Sequence, residues 1–301
     1  MELKNIDYFL AIAGELSLSK AAEKLYVSQS ALSKYLTRLE ASIGTALFIR
    51  YNNSLSLTPA GEAYRDGALA VMDVSHTVDK KLSDLIEERE YTLSIGVTGE
   101  RSQRFLGGLL LSLYEKYTPL HVRVLESPAS ELAQMLKRGE LDLAIYAVSG
   151  PDSELTQLII RREEVVLAVP ARHRLAYLGK PCATDALVRI GLQEFQDDSF
   201  VLLKKSTAMR QICEEYFDKL GFHPNGVIET KGSYSSMVFV DSGIATGFCP
   251  CHYNYRSDQI CYLGLEQPFY YSNAIIYRRG AYLTKPMKSL IHLAQSRSDT
   301  L

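Results

Sequence analysis

Polar side chains able to contact DNA share one face of a short predicted helix near the N-terminus. At a helical spacing of about 100° per residue, the apolar side chains of residues 29–39 fall on one side, namely Ala31, Leu32, Tyr35, Leu36 and Leu39. The amide, hydroxyl and cationic side chains fall on the other side, namely Gln29, Ser30, Ser33, Lys34, Thr37 and Arg38. Such groups read base edges and bind phosphate. The pattern therefore predicts a DNA-recognition helix whose contacts are these six polar residues.

The residues before this helix indicate a helix-turn-helix over residues 16–40. Ser28 stands where an N-cap belongs, so its hydroxyl can accept from one helix amide and leave others free for phosphate. We therefore include Ser28 in the predicted DNA surface. Ala21 and Ala22 on the preceding helix are small enough to let two helices cross closely. A first helix with apolar spacing of three and four residues completes a three-helix core, through Ile6, Phe9, Leu10 and Ala13.

A predicted β-hairpin follows over residues 43–61, and its polar turn carries Asn52 and Asn53. This hairpin would be the wing of a winged helix-turn-helix, and Arg50, Asn52 and Asn53 complete the predicted DNA surface. The positive charge is local. Residues 17–50 carry five cations against two carboxylates, whereas the whole chain carries 33 Lys and Arg against 35 Asp and Glu, a net charge of -2. A globally basic nucleic-acid coat is therefore excluded.

Length and composition bound the remaining possibilities. At 301 residues, of which 47% are hydrophobic, the chain can form two or three folding units. The N-terminus has no basic stretch followed by an apolar one, and no run approaches the roughly 20 apolar residues of a membrane span. We therefore expect a cytoplasmic protein that has no membrane partner.

Residues 60–90 contain no proline and predict one helix roughly 45 Å long, at about 1.5 Å per residue. Apolar residues recur along it at alternating steps of four and three, interrupted at Ser75, namely Tyr64, Ala68, Val71, Val78, Leu82 and Leu85. This spacing is typical of a coiled-coil seam, which a single helix cannot bury. Pairing with a second copy is favoured over folding back on the chain's own domain. A dimer also suits a recognition helix that reads an inverted repeat.

From residue 91 onward, short apolar strands alternate with helices, a pattern typical of a parallel α/β sheet. Strands are predicted at 92–97, 121–125, 141–146, 165–170, 200–203, 227–230, 244–248, 260–265 and 274–277. Helices are predicted notably at 105–116, 130–138, 209–220 and 285–294.

The carboxyl ends of these strands select the candidate ligand-binding residues. Ligands of open α/β sheets bind there, where helix N-termini offer free amides. The predicted contacts are Thr98, Gly99, Glu100, Arg101, Ser102, Ser127, Ser130, Tyr146, Lys204, Ser206, Thr207 and Phe248. Helix capping alone would also explain several of these hydroxyl residues.

Six ordered motifs resemble those of the LysR-type transcriptional regulators: AAEKLYVSQSALSKYLTRLE, ASIGTALFIR, LTPAGEAY, LDLAIY, VVLAVPARHRLA and DSGIATGF. They cover essentially the whole chain. The resemblance implies an α/β protein with an N-terminal winged helix-turn-helix, a long linker helix and a two-lobed effector domain like type 2 periplasmic binding proteins. The implied boundaries are 1–59 for the DNA-binding domain, 60–90 for the dimerisation helix, 91–162 with 268–301 for lobe 1, and 163–267 for lobe 2.

The resemblance also implies function and partners. It implies a sequence-specific regulator that binds an inverted-repeat operator in double-stranded DNA and holds a small polar metabolite between its lobes. It implies self-association into dimers and further into tetramers, and leaves RNA polymerase open as a partner. Effectors of similar proteins are commonly anionic. Because Glu100 would repel an acid unless Arg101 or Lys204 neutralises it, a zwitterionic or amine-bearing effector stays an alternative.

Two positions depart from the family pattern. Ser30 stands where the family often has proline, and the wing residues 51–54 are uncharged where the family's are usually basic. We therefore expect weak electrostatic contact between the wing and DNA.

Other classes of function explain less of the sequence than a DNA-binding regulator does. The sequence has no GxSxG, HExxH, Walker or glycine-rich dinucleotide motif, so we expect no catalytic residue, no enzyme activity and no cofactor. A cytoplasmic solute-binding or sensor protein would explain two lobes but not the helix-turn-helix. A redox- or metal-responsive regulator could use Cys249 and Cys251 of the sequence CPCH. With three close ligands and five irregularly spaced cysteines, a structural role is favoured and no metal site is predicted.

Overall fold

The computed structural model describes residues 3–51, 54–86, 90–184, 186–253, 255 and 257–297, with backbone alone at 3–5, 50, 51 and 54. These residues fall into two compact units. The first is built from the N-terminal segment and residues 138–140, and the second from the rest of the chain.

Helices and one antiparallel hairpin build the first unit. Its elements are α1 (Leu3–Glu15), α2 (Leu18–Lys24), α3 (Gln29–Ile43), β1 (Phe48–Tyr51), β2 (Ser54–Leu57) and α4 (Pro59–Leu85). Their buried apolar side chains form one core, which includes Ile6, Phe9, Leu32, Phe48 and Ala68. The predicted three-helix core and its hairpin are thus confirmed.

Hydroxyl side chains begin three helices of this unit. Ser17, Ser28 and Thr58 each accept a hydrogen bond from the backbone N–H three residues on, at 3.4, 3.2 and 2.9 Å. Each bond satisfies an amide that has no partner within its helix, which fixes where that helix starts. Pro59 follows Thr58 at the first turn of α4, where a missing N–H costs nothing.

Gly61 lets the first turn of α4 lie directly against the segment before β1. A Cβ added at Gly61 would stand 2.0 Å from the carbonyl oxygen of Leu47, far inside contact distance. One turn later the ring of Tyr64 packs on Phe9, with centroids 4.6 Å apart. The start of α4 therefore belongs to the core of the first unit.

We expect Gly61→Ala to lower the free energy of unfolding of the first unit by about 3 kcal/mol, because backbone must move to admit the methyl group. Gly67→Ala on the same helix is the matched control, since a Cβ there meets nothing within 4 Å. That substitution should stabilise by about 0.5–1 kcal/mol, through the higher helix propensity of alanine. Calorimetry of the full chain measures both, and equal shifts would contradict the close approach at Gly61.

The predicted seam of α4 divides between two environments. Tyr64 and Ala68 pack into the core of the first unit, whereas Val71, Val78 and Leu82 are 39%, 50% and 38% exposed. The helix ends at Leu85 rather than near residue 90, and Ile86 already has an extended backbone. At 27 residues it is about 40 Å long.

Strands and helices alternate through the second unit. Its strands are β3 (Tyr91–Val97), β4 (Leu120–Glu126), β5 (Leu143–Val148), β6 (Leu155–Pro170), β7 (Arg189–Ile190), β8 (Ser199–Leu203), β9 (Gly226–Thr230), β10 (Thr246–Pro250), β11 (Ile260–Leu265) and β12 (Tyr270–Arg278). Its helices are α5 (Glu100–Lys116), α6 (Ala129–Lys137), α7 (Ala208–Leu220), α8 (Ser233–Asp241) and α9 (Lys285–Ser296), with short 3₁₀ turns at Ala176–Leu178 and Leu192–Phe195.

The strands follow one path in the order β4-β3-β5-β12-β6-β10-β8-β9, with β11 beside β6 and β7 beside β11. The neighbours β4, β3 and β5 are parallel, as are β9, β8 and β10. Antiparallel pairs join β12 to β5 and β6, and join β6 to β10 and β11. The α/β class is confirmed, but the sheet is mixed where the pattern predicted a parallel one, because β6 and β12 run back through the middle of the path.

The long strand β6 joins two lobes of this unit. Its residues 155–164 pair with β12 in the first lobe, which contains β3, β4 and β5. Its residues 165–170 pair with β10 and β11 in the second lobe, which contains β8 and β9. Separate apolar clusters form in the two lobes, one around Ile95 and one around Phe200. The passage from one lobe to the other falls just after Glu164.

Candidate DNA-binding and effector sites

The helix α3 buries one side in the first unit and exposes the other. Leu32 and Leu36 are buried, and Tyr35 and Leu39 are half-buried against the same core. Ala31, expected on the apolar side, is exposed. It lies at the edge of the apolar arc in the first turn, beyond the cover that α1 and α2 provide.

The outward side of α3 carries the predicted recognition residues. Gln29, Ser30, Lys34, Thr37 and Arg38 are exposed, and Ser33 is half-buried. Hydrogen bonds orient two of the uncharged side chains. Ser19 Oγ donates to Gln29 Oε1 at 3.2 Å, and Thr37 Oγ1 donates to the carbonyl of Ser33 at 3.0 Å. Ser28 Oγ lies 3.1 Å from Ser30 Oγ while it caps the helix.

Two cations, Lys34 and Arg38, lie on this outward side of α3. Neither Lys34 nor Arg38 forms an ion pair with any other residue that the structure describes. Of the nearby carboxylates, Glu40 uses Oε1 to accept from the amides of Leu47 and Phe48 at 2.7 and 3.2 Å. Glu40 therefore ties α3 to the start of β1, leaving both cations available for an external anion.

The wing hairpin pairs Arg50 with Leu55 and Tyr51 with Ser54 across its strands. The predicted DNA contacts Asn52 and Asn53 lie outside the described residues, and at Arg50 the structure describes the backbone alone. The wing contacts accordingly stay predictions.

In the first lobe, two of the predicted ligand loops are neighbours. The amide of Ser127 donates to the carbonyl of Val97 at 3.1 Å, which brings the loop after β4 beside the loop after β3. Thr98, Glu100 and Ser130 are exposed and Ser102 is buried. Gly99 precedes α5 with a φ of 151° and supplies no side-chain cap, so this helix begins with amides that lack a side-chain acceptor.

The predicted ligand-binding residues of the second lobe include exposed loop residues and one buried residue. Thr207 caps α7 by accepting from the amide of Arg210 at 3.3 Å, and Lys204 and Ser206 are exposed beside it. Phe248 is buried and stacks on Phe200, with centroids 5.6 Å apart.

Tyr146 of the first lobe is likewise buried. It packs in the cluster with Leu132 and Leu136 of α6, and burial raises its pKa to about 12. Among the described residues, no hydrogen bond joins the 204–207 loop to the loops of the first lobe. The structure therefore brings the two first-lobe loops together and leaves a contact with the 204–207 loop as a prediction.

Arg101 has a partner that the sequence did not indicate. Its Nη2 lies 2.5 Å from both carboxylate oxygens of Glu163 on β6. Glu100 pairs instead with Arg104 one turn along α5, at 2.9 Å. Among the described residues, Nη1 of Arg101 is the buried side-chain polar atom that lacks a hydrogen-bond partner. One nitrogen of this guanidinium is therefore left to meet another acceptor.

Glu163 is the centre of a polar cluster at the passage between the lobes. Its side chain is fully buried, and Arg161 Nε lies 3.8 Å from its Oε1. Asn273 Nδ2 donates to Oε2 at 3.4 Å, and His252 Nδ1 lies 3.3 Å from Oε1. Burial, and next the charge of Arg161, lowers the pKa of His252. The imidazole is therefore neutral near pH 7.

Two family models match the chain in succession. A bacterial regulatory helix-turn-helix model of the lysR family matches residues 3–62, and the LysR substrate binding domain matches residues 87–299. The chain belongs to the LysR family. It is a DNA-binding transcriptional regulator with an effector-binding domain, like the other members of that family.

Individual relatives agree in length and fold with this LysR-family chain. The Bacillus subtilis regulator YybE is 27% identical over 83% of this chain and 82% of its own. The regulator YcgK of the same species is 25% identical over 98% of this chain and 94% of its own. A full-length OxyR structure from Pseudomonas aeruginosa covers 98% of each chain at 21% identity and a TM-score of 0.72, which shows the shared fold.

Sequence reasoning missed Glu163 in this LysR-family chain, and it considered His252 only within CPCH, without its contact to Glu163. Glu163 stands in the charged run RREE between the apolar residues of two halves of one strand, and this interruption of the apolar pattern was the signal in the sequence that could have identified it.

In the part of the chain that the structure describes, no helix has the length and apolarity needed to cross a membrane.

Proposed function

We propose that this LysR-family regulator acts in the cytoplasm, reads an inverted-repeat operator through α3 and responds to a small polar metabolite held between the lobes of its second unit. The outward side of α3 carries this proposal, because an exposed amide, hydroxyls and two cations free of described ion-pair partners lie on a helix whose other side is buried. These groups can read base edges and bind phosphates at one surface.

Two substitutions on α3 should separate phosphate contact from base reading. Arg38→Ala is expected to weaken binding to all DNA sequences and to reduce the salt slope by about 0.9, the value of one phosphate contact. Gln29→Ala should cost about 1–3 kcal/mol at particular base pairs and leave binding to unrelated DNA unchanged. Gel shifts with the intergenic DNA upstream of the protein's own gene, at several salt concentrations, measure both effects.

Lys288→Ala is the control, because it removes an exposed cation from α9 of the second unit. It should leave affinity and salt slope unchanged. Parental affinity and selectivity in both α3 variants would mean that another surface reads DNA.

The effector proposal draws support from the start of α5 and from Arg101. The first amides of α5 have no side-chain cap, and a helix N-terminus favours negative charge. Arg101 lies in this same first turn, and its buried Nη1 lacks a hydrogen-bond partner among the described residues. An acidic group on the metabolite would satisfy both, so we propose an effector that carries a carboxylate or phosphate. Thr98, Ser102, Ser127 and Thr207 are the proposed neutral contacts.

The effector site can be tested by thermal shift of the full chain against a panel of small anionic and zwitterionic metabolites. Thr98→Val should reduce the stabilisation by the identified metabolite, with a loss of about 0.5–1.5 kcal/mol in binding free energy for one neutral hydrogen bond. Thr92→Val is the matched control, because Thr92 is exposed near the opposite end of the same strand β3. Equal losses in the two variants, or none at Thr98, would place the metabolite elsewhere.

Self-association is proposed through the exposed part of α4. Val71, Val78 and Leu82 lie on one exposed side of the helix, whereas Tyr64, Ala68 and Met72 face the core of the first unit. Pairing of two such stripes would bury them and hold two recognition helices together. Further pairing into tetramers, and contact with RNA polymerase, are proposed from the family resemblance.

A further inference from the structure

A carboxylate, a thiol and an imidazole meet where β6 passes between the lobes. β10 ends at Pro250, paired with Val165 of β6, and the amide of Cys251 then donates to the carbonyl of Glu164 at 2.9 Å. Because the two chains run antiparallel, the next residue, His252, comes level with Glu163. Backbone pairing thus places Glu163 beside Cys251 and His252, which lie about 90 residues further along the chain.

The distances suit coordination of one cation. Cys251 Sγ lies 3.0 Å from His252 Nδ1, which lies 3.3 Å from Glu163 Oε1. The three ligand atoms all lie within 4.8 Å of one another. With bonds of about 2.3 Å to sulfur and about 2.0 Å to nitrogen or oxygen, a tetrahedral ion needs ligands roughly 3.3–3.5 Å apart. Small side-chain rotations would therefore admit the ion.

The chemistry of the three groups favours a thiophilic divalent cation. Thiolate, imidazole and carboxylate are the ligands that Zn²⁺ takes in proteins. The imidazole offers a nitrogen lone pair to the ion, and the Cys251 thiol must release its proton to solvent as the sulfur–metal bond forms. His252 is 40% exposed, which gives the ion a path inward.

Cys249, the other cysteine of this segment, is differently placed. It is buried on β10, and burial raises its pKa to about 12. It does not belong to the group of neighbouring ligand atoms found among the described residues. The set proposed below therefore takes Glu163 in place of Cys249, which the sequence alternative had paired with Cys251.

Two guanidinium groups oppose the ion. Arg101 contacts both oxygens of Glu163, and Arg161 lies 3.8 Å from one of them. A cation on Oε1 must displace Arg101 from that oxygen and stand near two positive charges.

We propose that Glu163, Cys251 and His252 bind one divalent cation of the Zn²⁺ class, and that the cation competes with Arg101 for Glu163. None of the three ligands belongs to the proposed DNA or effector contacts, and Arg101 is the residue that the two proposals share. It has three protein ligands and leaves a fourth position for water. Occupancy would loosen the ion pair that joins α5 to β6.

The test uses the reduced full chain with Co²⁺ and Zn²⁺. The parent should bind one Co²⁺ with tetrahedral visible bands and a thiolate-to-cobalt charge-transfer band, and Zn²⁺ should displace it. Cys251→Ser should abolish the charge-transfer band. His252→Ala should lower Zn²⁺ affinity by at least the roughly 10–100-fold that loss of outer-shell partners costs.

Two further variants make the test specific. Cys182→Ser removes an exposed free thiol elsewhere and should change nothing. Arg101→Gln should raise Zn²⁺ affinity, because it removes the competing charge. No such gain is expected if Cys251 has only a structural role. Circular dichroism confirms that each variant is folded. A charge-transfer band that survives in Cys251→Ser, or the absence of stoichiometric Zn²⁺ on the parent, would overturn the proposal.

Discussion

Replacing Glu163 with glutamine is expected to lower the free energy of unfolding of the second unit by about 3 kcal/mol, because removal of one partner leaves a buried charge uncompensated. The Glu163 side chain is 0% exposed and that of Arg101 is 21% exposed. Arg161 also lies beside the carboxylate, so two guanidinium groups would face a neutral amide. Glutamine keeps the size of the side chain, which confines the change largely to charge.

Glu164→Gln is the matched control for this prediction. Glu164 is the next residue of β6, and it also pairs with an arginine, Arg189, at 2.7 Å. These side chains are 23% and 48% exposed, so solvent screens the pair and its loss should cost less than about 1 kcal/mol. Urea unfolding of the full chain, followed by circular dichroism, measures both variants. Similar costs at the two positions would mean that burial does not govern the Glu163 cluster.

The buried and exposed sides of α3 were largely predictable because their signals are local. The spacing of Leu32, Leu36 and the polar residues between them lies within one helix, where 3.6-residue periodicity determines which side is buried. The helix cap at Ser28 is likewise local, because the Ser28 side chain accepts from the amide of Ala31, three residues on. The prediction that Ala31 is buried was wrong because Ala31 lies at the margin of the apolar arc. At that margin, packing by other elements decides exposure, and periodicity does not.

The cluster at the lobe passage could not be predicted because its contacts are between distant segments. Arg101 and Glu163 are 62 residues apart, and no spacing rule relates a helix start to the middle of a later strand. The sequence predicted β6 only from residue 165, since the charges before it hide the strand pattern. The existence of α8 was missed for a related reason, because Val238, Phe239 and Val240 favour a strand locally, whereas these residues form a helix in the structure.

The same contrast between local pattern and packing applies to α4. Periodicity alone treated its apolar residues as one seam, whereas the structure assigns Tyr64 and Ala68 to the core of the first unit. The stripe available for a partner therefore begins one turn later, at Val71. Val74, which is 64% exposed, widens this surface beyond the predicted positions, and the predicted position Leu85 is 79% exposed.

Introducing glutamate at Val78 is expected to convert the proposed dimer into monomers and to weaken operator binding by about 100-fold or more, since linked half-sites gain about 10²–10⁴ in avidity. Val78 is 50% exposed and lies between Val71 and Leu82 on the stripe. In a pair of helices, each copy would place its carboxylate in the apolar seam opposite its counterpart. His76→Glu is the control, because His76 is exposed about 160° around the same helix. Light scattering gives the mass and gel shifts give the affinity for the inverted repeat. The control should keep the parental values, and a Val78→Glu protein of unchanged mass would remove this stripe from the dimer interface.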